Sequence, residues 1–194
     1  MNKIFLDKAR LKTLTDSVLL VGIVLLVYNL ATLAGSDPDK FESELFSNTL
    51  VAYVNAFIIV FMYWSLLSVI LDFITYLDDT LFLLFLILLI TLTLIPVSNL
   101  LFLQSSGQGA AGFIAFTHIA PGLLLILVMK FKRDRLHQLS ATESRYILVC
   151  LTIIPSLYSI SFVFYYYNIF VSNAIALLVI PAFIVVGRIL HKNT

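Results

Sequence analysis

Few residues of this sequence have the types and spacing that acid–base or metal chemistry requires. The three histidines, His118, His137 and His191, are far apart, and the sequence has neither a His-Glu-x-x-His motif nor a phosphate-binding glycine loop. His118 lies in an apolar run just before Pro121, where a hydrogen bond to a carbonyl freed by the proline is the simplest role for its ring. We therefore predict no catalytic residue, no metal site and no cofactor.

The most informative polar residues lie where the first long apolar run begins. Asp16 falls in the first turns of a predicted helix, where amide groups lack partners, so it could simply cap that helix. Alternatively, Arg10 and Asp16 together stabilise the cytoplasmic opening of a larger assembly. Thr15 and Gly22 share another side of the helix and suit close helix contacts. Trp64, deep in the second apolar run, needs a partner for its indole N–H.

One side of the same predicted helix is polar at both ends and apolar in the centre. It repeats at a spacing of four and three residues, and we call it the helix-one stripe: Ser17, Val21, Leu25, Tyr28 and Thr32. Ordinary helix packing would explain such a pattern. The alternative is that the stripe lines a pore, whose aliphatic centre would then be a narrow hydrophobic constriction that gates by dewetting.

Membrane-spanning helices must position these residues. Of the 194 residues, 61% are hydrophobic and 12% are charged, and the mean hydropathy is +1.04, well above the values of soluble domains. The apolar runs are too long for barrel strands, so we predict one all-α integral membrane domain over residues 1–194. The first run is longer than a signal-peptide core and should remain in the protein. Six stretches qualify as spans: residues 14–34, 49–74, 80–103, 111–131, 146–168 and 171–190.

Basic residues predict the orientation. Eleven of the twelve Lys and Arg residues precede the first span, lie between the fourth and fifth, or occupy the C-terminal end, and these regions share one side. Both termini are therefore predicted to be cytoplasmic. Asp72, Asp78 and Asp79 make the cytoplasmic turn between spans two and three entirely acidic, although acidic residues count little in this rule. The sequence has no glycosylation sequon, which favours a multi-pass protein of a bacterial plasma membrane.

The first three spans resemble a known family. The start of helix one is similar to Arg-x-x-x-Phe-Ser-Asp, the signature of the transmembrane protein 175 family of potassium channels, and stands here as Arg10-x-x-x-Leu14-Thr15-Asp16. The aromatic stretch of span two resembles the family's stretch ending in Phe-Trp, here Tyr63-Trp64. Span three begins at Asp79-x-x-Phe82-Leu83 and ends near Pro96, as a family run does. The resemblance covers about residues 10–101.

This resemblance implies a homotetramer of six-helix subunits that conducts potassium ions. Helix one of each subunit would line a central pore, and the helix-one stripe would be its lining. The constriction would fall at Val21, Leu25 and Tyr28. The resemblance also implies a structural network at the cytoplasmic mouth: Arg10, Thr15, Asp16 and Trp64. The partners are then the lipid bilayer, further copies of the chain and the permeant potassium ion, with no nucleic acid.

The sequence also departs from the family pattern. Leu67 and Ser68 stand where the family usually has paired histidines, an aliphatic near Leu84 replaces an asparagine, and Val24 replaces a threonine. Because these changes thin the polar network around the pore helices, a second hypothesis stays open. In it the protein is a non-conducting membrane scaffold or a subunit of a larger complex, and the helix-one stripe is buried against neighbouring helices.

Overall fold

All the regular elements that the structure describes are α-helices. The computed structural model describes residues 8–35, 44–104, 108–131, 139–165, 174–175 and 177–191. Within these residues six helices follow one another: α1 (Lys8–Gly35), α2 (Glu44–Phe73), α3 (Asp79–Gln104), α4 (Gln108–Phe131), α5 (Ala141–Tyr165) and α6 (Val179–His191). Each predicted span overlaps one of them. The predicted turn at 168–173, between the last two spans, lies outside the described residues.

Four of these helices are long and apolar enough to cross a membrane. The qualifying segments are Tyr53–Phe73, Asp79–Asn99, Gly112–Phe131 and Ala141–Ser161, in α2 to α5. The described parts of α1 and α6 do not add to this set. The fold is thus an all-helical bundle with apolar spans, whereas the count of six spans stays a prediction.

Local side-chain caps fix where two helices begin. At α3, the Leu81 N–H donates to Asp78 Oδ1 at 2.7 Å, so Asp78 acts as the N-cap. At α5, the Ser140 N–H donates to Glu143 Oε2 at 2.8 Å and the Glu143 N–H donates to Ser140 Oγ at 3.1 Å. This reciprocal pair is a capping box, which satisfies two otherwise unpaired donors.

The core of the bundle surrounds α2, which packs against α1, α3, α4 and α5. Tyr63 is its largest fully buried side chain, and its hydroxyl donates to the carbonyl of His118 on α4 at 2.6 Å. A Cβ atom at Gly122 would lie 2.9 Å from that hydroxyl and 3.4 Å from the carbonyl oxygen of Leu151. The absence of a side chain at Gly122 therefore lets α2, α4 and α5 meet closely.

Candidate pore helix and its polar contacts

Helix α1 has one buried side, which faces α2 and α3. Leu11 and Thr15 are almost fully buried there, and the Thr15 hydroxyl donates to the carbonyl of Leu11 at 2.9 Å, one turn back. Gly22 continues this side two turns later and is also buried. The small and polar residues expected at close helix contacts thus lie where α1 meets its own subunit.

The helix-one stripe lies on the exposed part of α1. Val21, Leu25 and Tyr28 are 55%, 41% and 64% exposed in the single subunit, and Ser17 and Thr32 at the two ends are exposed as well. The exposed part is wider than the stripe, because Leu20 and Val24 also belong to it. The described helices of the subunit leave all five stripe residues uncovered.

A side-chain hydrogen bond joins α1 to α2 beside the first turn of the stripe. The Trp64 Nε1–H donates to Asp16 Oδ1 at 2.9 Å, and the Trp64 ring packs on Phe61 with centroids 5.6 Å apart. Because α1 already includes Lys8, Asp16 lies in its third turn, so the predicted role as a helix cap is wrong and Asp16 is instead the partner of the indole. Arg10 is exposed, and within the described residues it forms no ion pair with Asp16. Of the four predicted network residues, Asp16 and Trp64 bond each other and Thr15 lies beside them.

A second polar contact lies one to two turns closer to the N-terminus of α1. Lys12 Nζ is 2.9 Å from Asp72 Oδ1, and Lys8 Nζ donates to the backbone carbonyl of Asp72 at 2.6 Å. Asp72 lies in the last turn of α2 rather than in the following turn. Its negative charge is thus balanced by lysines of α1.

A small cavity of about 10 Å³ separates the buried side of α1 from α2 and α3. Thr15 and Gly22 line it from α1, Trp64 lines it from α2, and Thr93 lines it from α3. This volume is close to the space that one water molecule needs. A Cβ atom added at Gly22 would have no heavy atom within 4 Å, so the cavity has room for a methyl group.

The sequence did not reveal a buried polar cluster between α3 and α4. Ser98 Oγ and Thr117 Oγ1 are 2.8 Å apart, and Thr117 Oγ1 is 3.2 Å from His118 Nδ1. Because a carbonyl oxygen can only accept, His118 Nδ1 donates to the carbonyl of Ile114 at 2.8 Å, leaving Nε2 as the acceptor facing Asn99 at 3.5 Å. Pro121 has no N–H, so it leaves the carbonyl of residue 117 free. The predicted bond from the His118 ring to that carbonyl is wrong, because the ring bonds the carbonyl of Ile114 instead. This polar cluster belongs to α3 and α4, whereas the helix-one stripe belongs to α1.

The titratable residues do not form a metal site within the described part of the chain. No group of three or more histidine, cysteine, aspartate or glutamate side chains comes together there. The exposed stripe of α1 has polar ends and an apolar centre, and a hydrogen bond between Asp16 and Trp64 joins this helix to α2.

Comparison with known proteins matches one segment of the chain to a family. The model of the family described as "Endosomal/lysosomal potassium channel TMEM175" matches residues 10–96, which contain nearly all of α1, the whole of α2 and most of α3. This segment belongs to the TMEM175 family. The resemblance predicted from the first three spans is therefore confirmed over almost the same residues. No curated protein and no solved structure matches the chain.

The matched family is one of potassium channels rather than enzymes, and the four apolar helices support a multi-pass membrane protein. The matched segment contains the helix-one stripe, the bond between Asp16 and Trp64, and the ion pair between Lys12 and Asp72. It ends at Pro96, before the polar cluster that involves Thr117 and His118. Apart from the bond of Lys8, these features of α1 and its contacts with α2 thus lie in the TMEM175 segment, whereas α4 to α6 lie outside it.

Proposed function

We propose that the protein is a potassium-permeable channel in which four subunits surround one pore. Each subunit has six membrane spans with both termini in the cytoplasm, and α1 of each lines the central axis. Four copies of the helix-one stripe form the wall, with Val21, Leu25 and Tyr28 as a hydrophobic constriction. Family membership of residues 10–96 supports the potassium channel in general. Potassium is the permeant ion, and no cofactor is required.

One observation carries the assignment of α1 to the pore. Its side chains divide between a buried side, with Leu11 and Thr15, and an exposed side that holds the entire helix-one stripe. A pore-lining helix needs this division, because it must pack on its own subunit and still present side chains to the axis. The scaffold hypothesis expected the stripe to be buried against neighbouring helices. The described helices of the same subunit do not bury it, which favours the channel.

The composition of the stripe suggests how ions would pass. Ser17 and Thr32 place hydroxyl groups at its two ends, and the aliphatic centre offers no ligand to a dehydrated ion. Because the stripe contains no carboxylate, selectivity would come from the width of the pore and the cost of removing water from each ion. Asp16 at the inner mouth would raise the local concentration of cations.

Cysteine substitution separates the two hypotheses. Val21→Cys and Leu25→Cys are compared with Leu20→Cys, because Leu20 is more exposed than either residue but lies on another part of the helix surface. In a channel, the first two variants should crosslink between subunits and lose potassium flux in proteoliposomes when a small thiol reagent is added from water. Leu20→Cys should keep its flux. The native Cys150 is buried and adds little background.

Two results would contradict the proposal. Protein that is shown to be tetrameric but carries no ion flux would rule out the channel. Sodium flux equal to potassium flux in the same liposomes would leave a channel but remove the selectivity for potassium.

A further inference from the structure

Three charged residues of α1 recur every four positions and all contact α2. Lys8 Nζ donates to the Asp72 carbonyl, Lys12 Nζ pairs with the Asp72 carboxylate, and the Asp16 carboxylate accepts from Trp64. The contacts run in order along two antiparallel helices, from the end of α2 toward its middle. They form a line of polar bonds along one side of α1.

This line lies opposite the helix-one stripe. With 3.6 residues per turn, the mean direction of Lys8, Lys12 and Asp16 is about 180° from the mean direction of the five stripe residues around the helix axis. A change in the distance between α1 and α2 at these contacts therefore moves the stripe along the same line, toward the predicted pore axis or away from it.

The strength of the contact between Lys12 and Asp72 suits a reversible bond. The two side chains are 40% and 58% exposed, so water screens their attraction and the pair adds little to folding stability. Asp72 lies in the last turn of α2, where unpaired carbonyl groups also attract the lysines. Bonds of this kind form and break at small cost, in contrast with the buried core beside Tyr63.

We propose that Lys12 and Asp72, assisted by Lys8, form an ionic clamp that positions the cytoplasmic end of α1 and thereby sets the equilibrium between open and closed pores. This inference rests on the proposed function, because it takes α1 as the pore helix. The clamp stabilises the conformation described above. Its loss shifts the population toward the other state, and high salt on the cytoplasmic side, which screens an exposed ion pair, acts in the same direction.

Charge exchange tests the clamp in single-channel recordings from reconstituted protein. Lys12→Asp and Asp72→Lys each break the pair, so both should shift the ratio of open to closed times in the same direction, by about two- to fivefold. The double variant Lys12→Asp with Asp72→Lys restores opposite charges and should return toward the wild-type ratio. An alternative explanation is that these charges only attract or repel cations at the pore mouth. The two single variants change the charge in opposite directions, so they would then change the conductance in opposite directions.

Lys130→Asp provides the matched control. Lys130 is an exposed lysine near the end of α4, on the side predicted to be cytoplasmic, and it forms no ion pair within the described residues. It should leave the open-to-closed ratio unchanged. The milder pair Lys12→Gln and Asp72→Asn repeats the test without charge reversal, and size-exclusion profiles confirm assembly of each variant.

The possible results separate the two proposals. The clamp alone would be overturned if the wild-type protein conducts and both single variants keep its open-to-closed ratio. It would also be overturned if the two single variants shift that ratio in opposite directions. Wild-type protein without current would overturn the proposed function and the gating role of the clamp together.

Discussion

The indole nitrogen of Trp64 donates a hydrogen bond of 2.9 Å to the carboxylate of Asp16, and this bond ties α1 to α2. A hydrogen bond to a charged acceptor is shorter and stronger than a neutral one, although Asp16 is exposed and water competes for it. The contact connects the third turn of the candidate pore helix to α2 of its own subunit.

Removing this donor should weaken the bundle. Trp64→Phe keeps an aromatic ring beside Phe61 but has no N–H, so we expect the free energy of unfolding in detergent to fall by about 1 kcal/mol. Asp16→Ala should cost a similar amount, whereas Asp16→Asn retains an acceptor oxygen and should cost less. If the double variant Trp64→Phe with Asp16→Ala loses the sum of the two single effects, the residues are not coupled and the prediction is wrong.

The same substitution at two glycines should have opposite effects. Gly22→Ala places a methyl group into the small cavity behind α1, where nothing lies within 4 Å, and should leave stability unchanged or raise it by up to about 1 kcal/mol. Gly122→Ala brings its methyl group within 2.9 Å of the Tyr63 hydroxyl. Because that hydroxyl is held by the His118 carbonyl, we expect a loss of about 1–3 kcal/mol.

Thermal unfolding of the purified variants measures this difference between the two glycines. Tyr63→Phe removes the clashing oxygen and should recover part of the loss caused by Gly122→Ala. Equal effects of alanine at Gly22 and Gly122 would mean that the packing around these residues is not as described.

The helices themselves could be predicted from the sequence, because long apolar runs and cap residues are local signals. The family resemblance placed Asp16 and Trp64 in one network, and the structure joins them by a hydrogen bond, although Asp16 is exposed and Trp64 is only half-buried. The sequence suggested Arg10 as a further partner of Asp16, but the structure gives Asp16 to Trp64. The bonds of Lys8 and Lys12 to Asp72 were not anticipated, because Asp72 was assigned to a turn.

The polar cluster around His118 shows why some contacts were beyond sequence reasoning. Spans α3 and α4 are apolar on almost all sides, so hydropathy does not tell which side faces lipid and which faces a neighbour. Ser98 and Thr117 meet only because α3 and α4 pack with these residues opposite each other. That register depends on the assembled bundle and not on either helix alone.

Polar substitution in the helix-one stripe should increase conduction. Val21→Ser and Leu25→Ser each replace an aliphatic side chain of the proposed constriction with a hydroxyl group that retains water, which lowers the barrier to ion entry. If the barrier falls by about 1 kcal/mol, potassium flux into proteoliposomes should rise about fivefold. Leu20 is also exposed but lies off the stripe, so Leu20→Ser is the matched control and should have the wild-type flux. A rise in Leu20→Ser alone would place the pore on another side of α1.

The hydroxyl of Thr117 should stabilise the contact between α3 and α4. It lies 2.8 Å from Ser98 Oγ and 3.2 Å from the His118 ring, and Thr117 is fully buried. Thr117→Val keeps the shape but removes these bonds, so we expect the free energy of unfolding to fall by about 0.5–1.5 kcal/mol. The control is Thr152→Val, because the exposed Thr152 hydroxyl bonds only the Val149 carbonyl of its own helix. If both valine variants lose the same stability, helix-internal bonds explain the effect and the cluster does not link the helices.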